Sequence, residues 1–376
     1  MAGSIKKIGL FVPAWWPCSF FENQQAVYSP EYELYNLYGV CTWLAHKEQF
    51  RQLLLFHSLN NVESQLENNS LKIKIQCAKF RSRTSTARAI TSVSEEIGKH
   101  ILKATNGIIP CFIYIQSRSD IAIFVAEWAK RNHIRIIFAE HILYIRHEIN
   151  YISRRRENLF SAADQVFCVS NYLYRNLLTS GLKLNDVKVI GNLVSEYAIP
   201  TEWRSIKKNG RIIFVASHFH DKDIQTFIAV ANRQDEYAMP IDVYGLSGVE
   251  HFNGKALHEH ITSPFVSFKG KVPHNDLLER YAEYTLLLST SVSETFGLSV
   301  AEAIAHGTPV VCTDSGGVRD FVNEKNGVLV GIKDIDGICA AIRHVATTVY
   351  DSEKLSKEIL SRYGLRNYQI NTKLYG

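Results

Sequence analysis

The sequence predicts an α/β protein made of two doubly wound, Rossmann-like domains, and three observations carry that expectation. Short β-branched or aromatic runs alternate with longer amphipathic stretches to the end of the chain, which is the signature of βαβ units and a parallel sheet. Most of those runs are apolar at nearly every residue, as strands covered by helices on both faces are. At 376 residues the chain is also longer than one ordinary hydrophobic core supports.

In order along the first half, strands are expected at Ile8–Val12, Gln52–Phe56, Leu71–Gln76, Pro110–Gln116, Arg135–Ala139, Gln165–Val169 and Val187–Ile190. After Asn192 the rhythm pauses through Pro200-Thr201-Glu202-Trp203, and Lys207-Lys208-Asn209-Gly210 is polar and turn-prone. The second half restarts with Ile212–Ala216 and continues through Ile241–Tyr244, Phe265–Phe268, Thr285–Ser289, Pro309–Cys312 and Gly327–Val330. The reading is therefore a first domain over 1–198, a second over 199–350, and a closing segment over 351–376 that is a polar amphipathic helix packing back toward the first domain. Ligands of such sheets sit beyond the carboxyl ends of the strands, so two sheets facing a central cleft would share one pocket.

Composition narrows the function classes. Hydrophobic residues at 46% and charged residues at 21% exclude a disordered, collagen-like or coiled-coil chain. No apolar run approaches the ~20 residues of a membrane span, and the start of the chain does not read as a secretory leader. The seven cysteines are scattered without a C-x-x-C pair, which reads as reduced thiols in a cytosolic protein rather than a zinc or disulfide framework. Charge is uneven: residues 1–200 carry 23 Lys+Arg against 16 Asp+Glu, a net of +7, and the remainder 19 against 21, a net of −2. The basic half is thus the one expected to approach a polyanion, such as the cytoplasmic face of an anionic membrane or a phosphorylated lipid.

The most informative stretch runs from Ser291 to Val311. The strand Thr285–Ser289 ends in hydroxyl residues, Glu294 lies in the loop beyond, a helix opens near Gly297, and Glu302 is about one turn inside it. His306-Gly307 ends that helix as a cation followed by a C′ glycine. A helix opening beside a strand end offers unpaired N–H groups and a positive dipole end to a phosphate, and Gly297 lets the backbone come close. The two acids have two readings: a dipole partner and a solvated helix acid, or Glu302 accepting both hydroxyls of a ribose with Glu294 one pocket further out.

Glu294-Thr295-Phe296-Gly297-Leu298, followed by Ala301-Glu302-Ala303, His306-Gly307-Thr308-Pro309-Val310-Val311 and Asp314-Ser315-Gly316-Gly317, resembles the E-x7-E region of the retaining glycosyltransferases of family four, which have the GT-B fold. The resemblance covers roughly residues 210 to 345. It implies Glu302 for the ribose of a nucleotide sugar, Glu294 for the donor sugar, and Thr295, Phe296, Gly297 and Leu298 for the pyrophosphate through the backbone. Gly316 and Gly317 would form a second loop close to the sugar. Lys222 matches the family's phosphate lysine, while the arginine position five residues earlier holds Ser217, with His218 beside it. His141, just past the strand Arg135–Ala139, matches a histidine that reaches the transferred sugar, with Glu140 beside it. The turn Pro13-Ala14-Trp15-Trp16-Pro17 lacks the family's paired glycines, so Trp15 and Trp16 are read as acceptor-side residues, and Lys79, Arg81, Arg83 and Arg88 as the acceptor or membrane side.

Asp221-Lys222-Asp223 mimics a metal-binding D-x-D, but a lysine between the acids disfavours that reading. No metal and no cofactor are expected beyond the donor itself. Arg154-Arg155-Arg156 and the Lys79–Arg88 charges have no aromatic interleaving, so nucleic acid is not expected as a partner. The implied activity is retaining, metal-independent transfer of a sugar from a nucleotide diphosphate to a hydroxyl of a glycan or lipid-linked saccharide, in the cytoplasm or peripherally on its membrane face. The competing readings are a non-catalytic GT-B subunit supporting a partner enzyme and a nucleotide-sugar epimerase.

Overall fold

A computed structural model of the chain describes residues 8–12, 51–58, 64–67, 70–76, 87–116, 120–141, 151–216 and 221–372. The chain divides into two compact units, Met1–Gly191 with Tyr368–Gly376, and Asn192–Asn367. Leu193 and Val194, 4% and 0% exposed, lie just inside the second unit, where the Val194 amide donates to the Tyr363 carbonyl at 3.0 Å.

The first unit is an eight-stranded sheet of β1 Ile8–Val12, β2 Arg51–Ser58, β3 Ser64–Glu67, β4 Ser70–Gln76, β5 Phe112–Ile115, β6 Arg135–Glu140, β7 Gln165–Cys168 and β8 Asp186–Val189, in the order β3-β4-β2-β1-β5-β6-β7-β8. Its described helices are α1 Ala87–Ala104, α2 Asp120–Arg131, α3 Tyr151–Ala162 and α4 Asn171–Thr179. All pairings are parallel except β3 with β4, where Glu67 faces Ser70. The reading of apolar runs does not find β3, because Ser-Gln-Leu-Glu, an edge strand, carries a single apolar residue. By contrast β5 is buried at every residue, as its apolar run requires.

The second unit holds the remaining strands: β9 Ile212–Val215, β10 Ile241–Tyr244, β11 His251–Phe252, β12 Lys255–Ala256, β13 Val266–Gly270, β14 Leu286–Ser289, β15 Val310–Thr313 and β16 Gly327–Val330. Six of them form a fully parallel sheet in the order β13-β10-β9-β14-β15-β16. Its helices are α5 Ile224–Ala231, α6 His274–Tyr281, α7 Leu298–Ala305, α8 Ile335–Thr347 and α9 Ser352–Tyr363, followed by α10 Leu365–Asn371. One sheet face sets Ile212, Phe214, Ile241, Val243, Leu286 and Leu288 against Phe227 and Val230 of α5 and Ile338, Ile342 and Val345 of α8. Phe214 and Phe227 stack at 4.0 Å between ring centroids. The β11–β12 hairpin, absent from the sequence reading, turns on Asn253 and Gly254 at φ of 48° and 82°, the left-handed pair such a two-residue turn needs.

The described end of the chain holds two helices, α9 and α10. α9 stays with the second unit: Tyr363 meets the Phe296 ring edge-on at 5.1 Å, and the Ser352 hydroxyl donates to the Gly307 carbonyl at 2.7 Å. The stretch from Tyr368 groups with the first unit, where the Lys188 ammonium donates to the Asn371 carbonyl at 2.7 Å.

Candidate functional site

Strand order in the second unit reverses at β9, which has β10 on one side and β14 on the other. The crevice beyond the carboxyl ends of two such strands is where doubly wound sheets bind ligands. Here the loop after β9 delivers Lys222 and the loop after β14 delivers Glu294, and their side chains meet with Nζ 2.6 Å from Oε1. Both are more than four-fifths buried, at 17% and 16% side-chain exposure. The Ser291 hydroxyl donates to the same Oε1 at 2.9 Å, so Oε2 keeps no protein donor among the described residues. The backbone of Glu294 is fixed from the next loop, its amide donating to the Ser315 carbonyl at 2.8 Å and its carbonyl accepting from the Gly317 amide at 2.7 Å.

Gly297 is the N-cap of α7 at φ 91°, a left-handed conformation that favours glycine, and it supplies no side-chain cap to the first helical turn. That turn therefore presents its amides and dipole end beside Glu294. Phe296 is 1% exposed and anchors the turn by packing on Phe321 and Tyr363, while the backbone of Thr295 touches the neighbouring glycine loop. Gly316 has φ 115°, and a Cβ on Gly317 would stand 2.1 Å from the Thr295 carbonyl oxygen. Only glycine permits these two loops to touch. Leu298 is the first residue of α7.

Glu302 lies one turn into α7 and is 3% exposed, which removes the solvated-acid reading. Its Oε1 is 2.8 Å from Nε2 of His274, the first residue of α6. Burial works to lower the His274 pKa, but the Glu302 charge and hydrogen bond raise it by more, so the ring sits above the ordinary histidine range. Tyr281 is pushed up as well, first by burial and then by the same carboxylate. His306 closes α7 with both ring nitrogens on carbonyls, Nδ1 at 2.8 Å from that of Glu302 and Nε2 at 3.0 Å from that of Tyr197.

The structure thus assembles Lys222, Glu294, Thr295, Phe296, Gly297, Gly316 and Gly317 on adjoining loops, with Leu298 opening α7 and Glu302 one turn behind. Asp223 caps α5 by accepting from the Thr226 amide at 3.4 Å, and its other carboxylate oxygen accepts from the Thr226 hydroxyl at 2.6 Å, which commits one acid of the D-x-D mimic to the fold. His141 follows the last residue of β6 in the first unit, with its amide donating to Glu140 Oε1 at 2.9 Å. Ser217, His218, Trp15, Trp16, Lys79, Arg81 and Arg83 lie outside the described residues, as does the side chain of Arg88 on α1. Sequence reasoning missed Ser291, Thr290 and His274. The run Ser289-Thr290-Ser291 carried a signal for the first two, whereas nothing marked His274.

Comparison with known proteins adds a family model matched over part of the chain and a shared fold. Residues 198–359 match the family model of the glycosyl transferases group 1. Over 96 residues the chain is 33% identical to the GtfA subunit of the UDP-N-acetylglucosamine–peptide N-acetylglucosaminyltransferase of Streptococcus gordonii, a match covering 25% of this chain and 18% of that protein. The first curated relatives are matched over only 18 to 27% of their own length. Among solved structures, sucrose-phosphate synthase from Thermosynechococcus elongatus superposes with a TM-score of 0.65 at 15% identity, covering 98% of this chain and 97% of that one. A trehalose-6-phosphate protein structure from E. coli bound with UDP-2-fluoro glucose does so at 0.67 and 10% identity, covering 97% of each. These likenesses give the chain the GT-B fold of the glycosyltransferases, with its second unit matching the glycosyl transferases of group 1.

Proposed function

We propose that this protein is a retaining, metal-independent glycosyltransferase that moves a sugar from a nucleoside diphosphate to a hydroxyl of a glycan or lipid-linked saccharide. The observation that carries the reading is the convergence of Lys222, Glu294 and the uncapped start of α7 beyond β9 and β14, with buried Glu302 one turn behind. Uridine is the proposed base, because the GtfA subunit's name and the E. coli structure's title both carry UDP.

In this reading the α7 amides and the Lys222 ammonium hold the diphosphate, Glu302 accepts from the ribose hydroxyls, and Glu294 orients the sugar. The bond from sugar C1 to the β-phosphate oxygen breaks while the acceptor oxygen bonds to C1 on the same face, and the acceptor's proton passes to the departing phosphate oxygen. No side-chain base is needed. The leaving group gains negative charge, so a preorganised cation and amides stabilise the transition state more than the ground state. His141 is proposed to contact the transferred sugar. The basic first half is proposed to face an anionic acceptor or membrane surface; among the described residues no helix is long and apolar enough to cross a membrane.

The test is a panel of nucleotide sugars assayed by thermal shift and then by nucleotide release with and without acceptors, on the wild type and on Glu302→Ala and Lys222→Ala. Glu302→Ala is expected to weaken nucleotide binding, and Lys222→Ala to lower kcat by about 100-fold or more, the scale of losing one preorganised charge contact. Normal affinity and normal turnover in both variants would end the assignment. Binding without any turnover would favour a non-catalytic subunit, and an isomerised donor formed without acceptor would favour an epimerase.

A further inference from the structure

We propose that Thr290 is a positioning residue that holds Lys222 in register with Glu294, an inference that rests on the reading of Lys222 as the diphosphate cation. Thr290 is the first residue after β14 and is fully buried. Its hydroxyl does not face the pocket's acids. It donates across to the neighbouring loop, reaching the Lys222 carbonyl at 2.7 Å, with the Asp223 carbonyl at 3.3 Å. Two residues on, the Val292 amide donates to the Asp221 carbonyl at 2.9 Å. The loop after β9 is thereby stapled to the loop after β14 at the Asp221 and Lys222 carbonyls, the two peptide units that flank the Lys222 Cα.

That staple matters because the Lys222 backbone is otherwise hard to hold. The next residue, Asp223, adopts φ 41° and ψ 67°, a left-handed conformation that a non-glycine residue keeps only where its surroundings impose it. Lysine is a flexible stem with four rotatable bonds, so where its ammonium rests depends on where its backbone is anchored. Thr290 anchors that backbone from the same loop that carries Ser291 and Glu294. The lysine, the carboxylate and the staple then move as one body, and the ammonium is already in place when the diphosphate arrives. A preorganised donor of this kind spares reorganisation at the moment of reaction.

The test uses the full chain with Thr290→Val, which keeps the volume and deletes the hydroxyl, Thr290→Ser, which keeps the hydroxyl, Lys222→Ala, and the double variant T290V/K222A. UDP affinity by calorimetry is the first readout. T290V is expected to weaken UDP by about 10-fold, the scale of one lost hydrogen bond transmitted to a charged contact, with T290S near wild type. In the K222A background T290V should change UDP affinity by less than about 2-fold, because a residue that acts only through Lys222 has nothing left to position. Hydrogen exchange without ligand is the second readout: peptides spanning 221–226 should exchange faster in T290V than in wild type or T290S. Equal weakening in both backgrounds would overturn the proposal, since Thr290 would then act on the site by another route. Unchanged affinity and exchange in T290V, with K222A still weakened, would overturn the proposal while leaving the functional reading standing. If wild type bound no UDP or other nucleoside diphosphate, the functional reading itself would fail and this proposal with it. Should T290V melt below the assay temperature, Thr290→Cys takes its place with the same expectations.

Discussion

Replacing His274 with phenylalanine isolates the pair beneath the proposed ribose seat. In the folded protein Glu302 Oε1 faces His274 Nε2 at 2.8 Å, with side-chain exposures of 5% and 16%. Removing one member of a fully buried ion pair costs about 3 to 5 kcal/mol, because the other charge is left in a poor solvent. The partial exposure of His274 lets water approach, so the expected loss falls below that range, at about 2 to 3 kcal/mol. At roughly 2 to 4 °C per kcal/mol for a unit of this size, His274→Phe should melt about 5 to 10 °C below wild type near pH 6. The pH dependence is the discriminating part. His274 has its pKa raised on folding, so its contribution is fully present below the unfolded value of about 6.5 and is lost as pH rises through the folded value. The gap between wild type and variant should therefore shrink from about pH 6 toward pH 9 in scanning calorimetry at constant salt. A gap that stays constant, or that widens with pH, would mean the contact is not an ion pair and would refute the reasoning.

Gly317→Ala places a Cβ 2.1 Å from the Thr295 carbonyl oxygen, with backbone rather than a yielding side chain on the far side. It should separate the two loops and abolish detectable UDP binding by calorimetry; retained affinity would mean that the glycine loop is not part of the pocket. Lys208 tucks its ammonium against the Ala282 and Gly307 carbonyls and the Thr308 hydroxyl at 2.9, 3.1 and 3.0 Å, with no carboxylate among these partners. Burial lowers its pKa to about 8, so the unfolded chain holds that proton more tightly. Stability contributed at this site should rise as pH climbs from about 8 toward 10.5, and Lys208→Met should flatten that rise in chemical denaturation. A slope unchanged by the substitution would place the titrating group elsewhere.

The middle of the second unit's sheet was legible because its strands are buried along nearly their whole length. The runs expected at Ile212–Ala216, Ile241–Tyr244 and Thr285–Ser289 are mostly apolar and appear as β9, β10 and β14. The helix opening at Gly297 and closing at His306-Gly307 was legible too, since caps are written locally; His306 is the C-cap and Gly307 has φ 72°. What the sequence withheld are relationships between distant residues. Nothing local links His274 to Glu302, or Thr290 to Lys222 across 68 positions. The sheet order makes those contacts, and a reading of periodicity along one strand cannot see which strand lies beside it. β3 and the β11–β12 hairpin were missed for another reason: edge strands and short hairpins bury too little to leave an apolar run.

The ion pair between Lys222 and Glu294 also makes Glu294→Gln a sharper probe than removal of the side chain. The Glu294 carboxylate lies 2.6 Å from the ammonium that is proposed to meet the diphosphate. In the unliganded protein it therefore competes with the phosphate oxygens for the same cation. An amide of the same shape keeps the geometry and the Ser291 contact while ending that competition. A partly exposed pair of this kind is worth about 1 kcal/mol, so UDP should bind up to about 5-fold more tightly to the variant. Sugar transfer should move the opposite way, because orienting the sugar falls to the carboxylate that has been lost. Tighter product binding with slower turnover is a signature that neither a destabilised fold nor a lost binding residue produces. Weaker UDP binding in Glu294→Gln would mean that the carboxylate itself holds the nucleotide, and Lys222 would then need a different role.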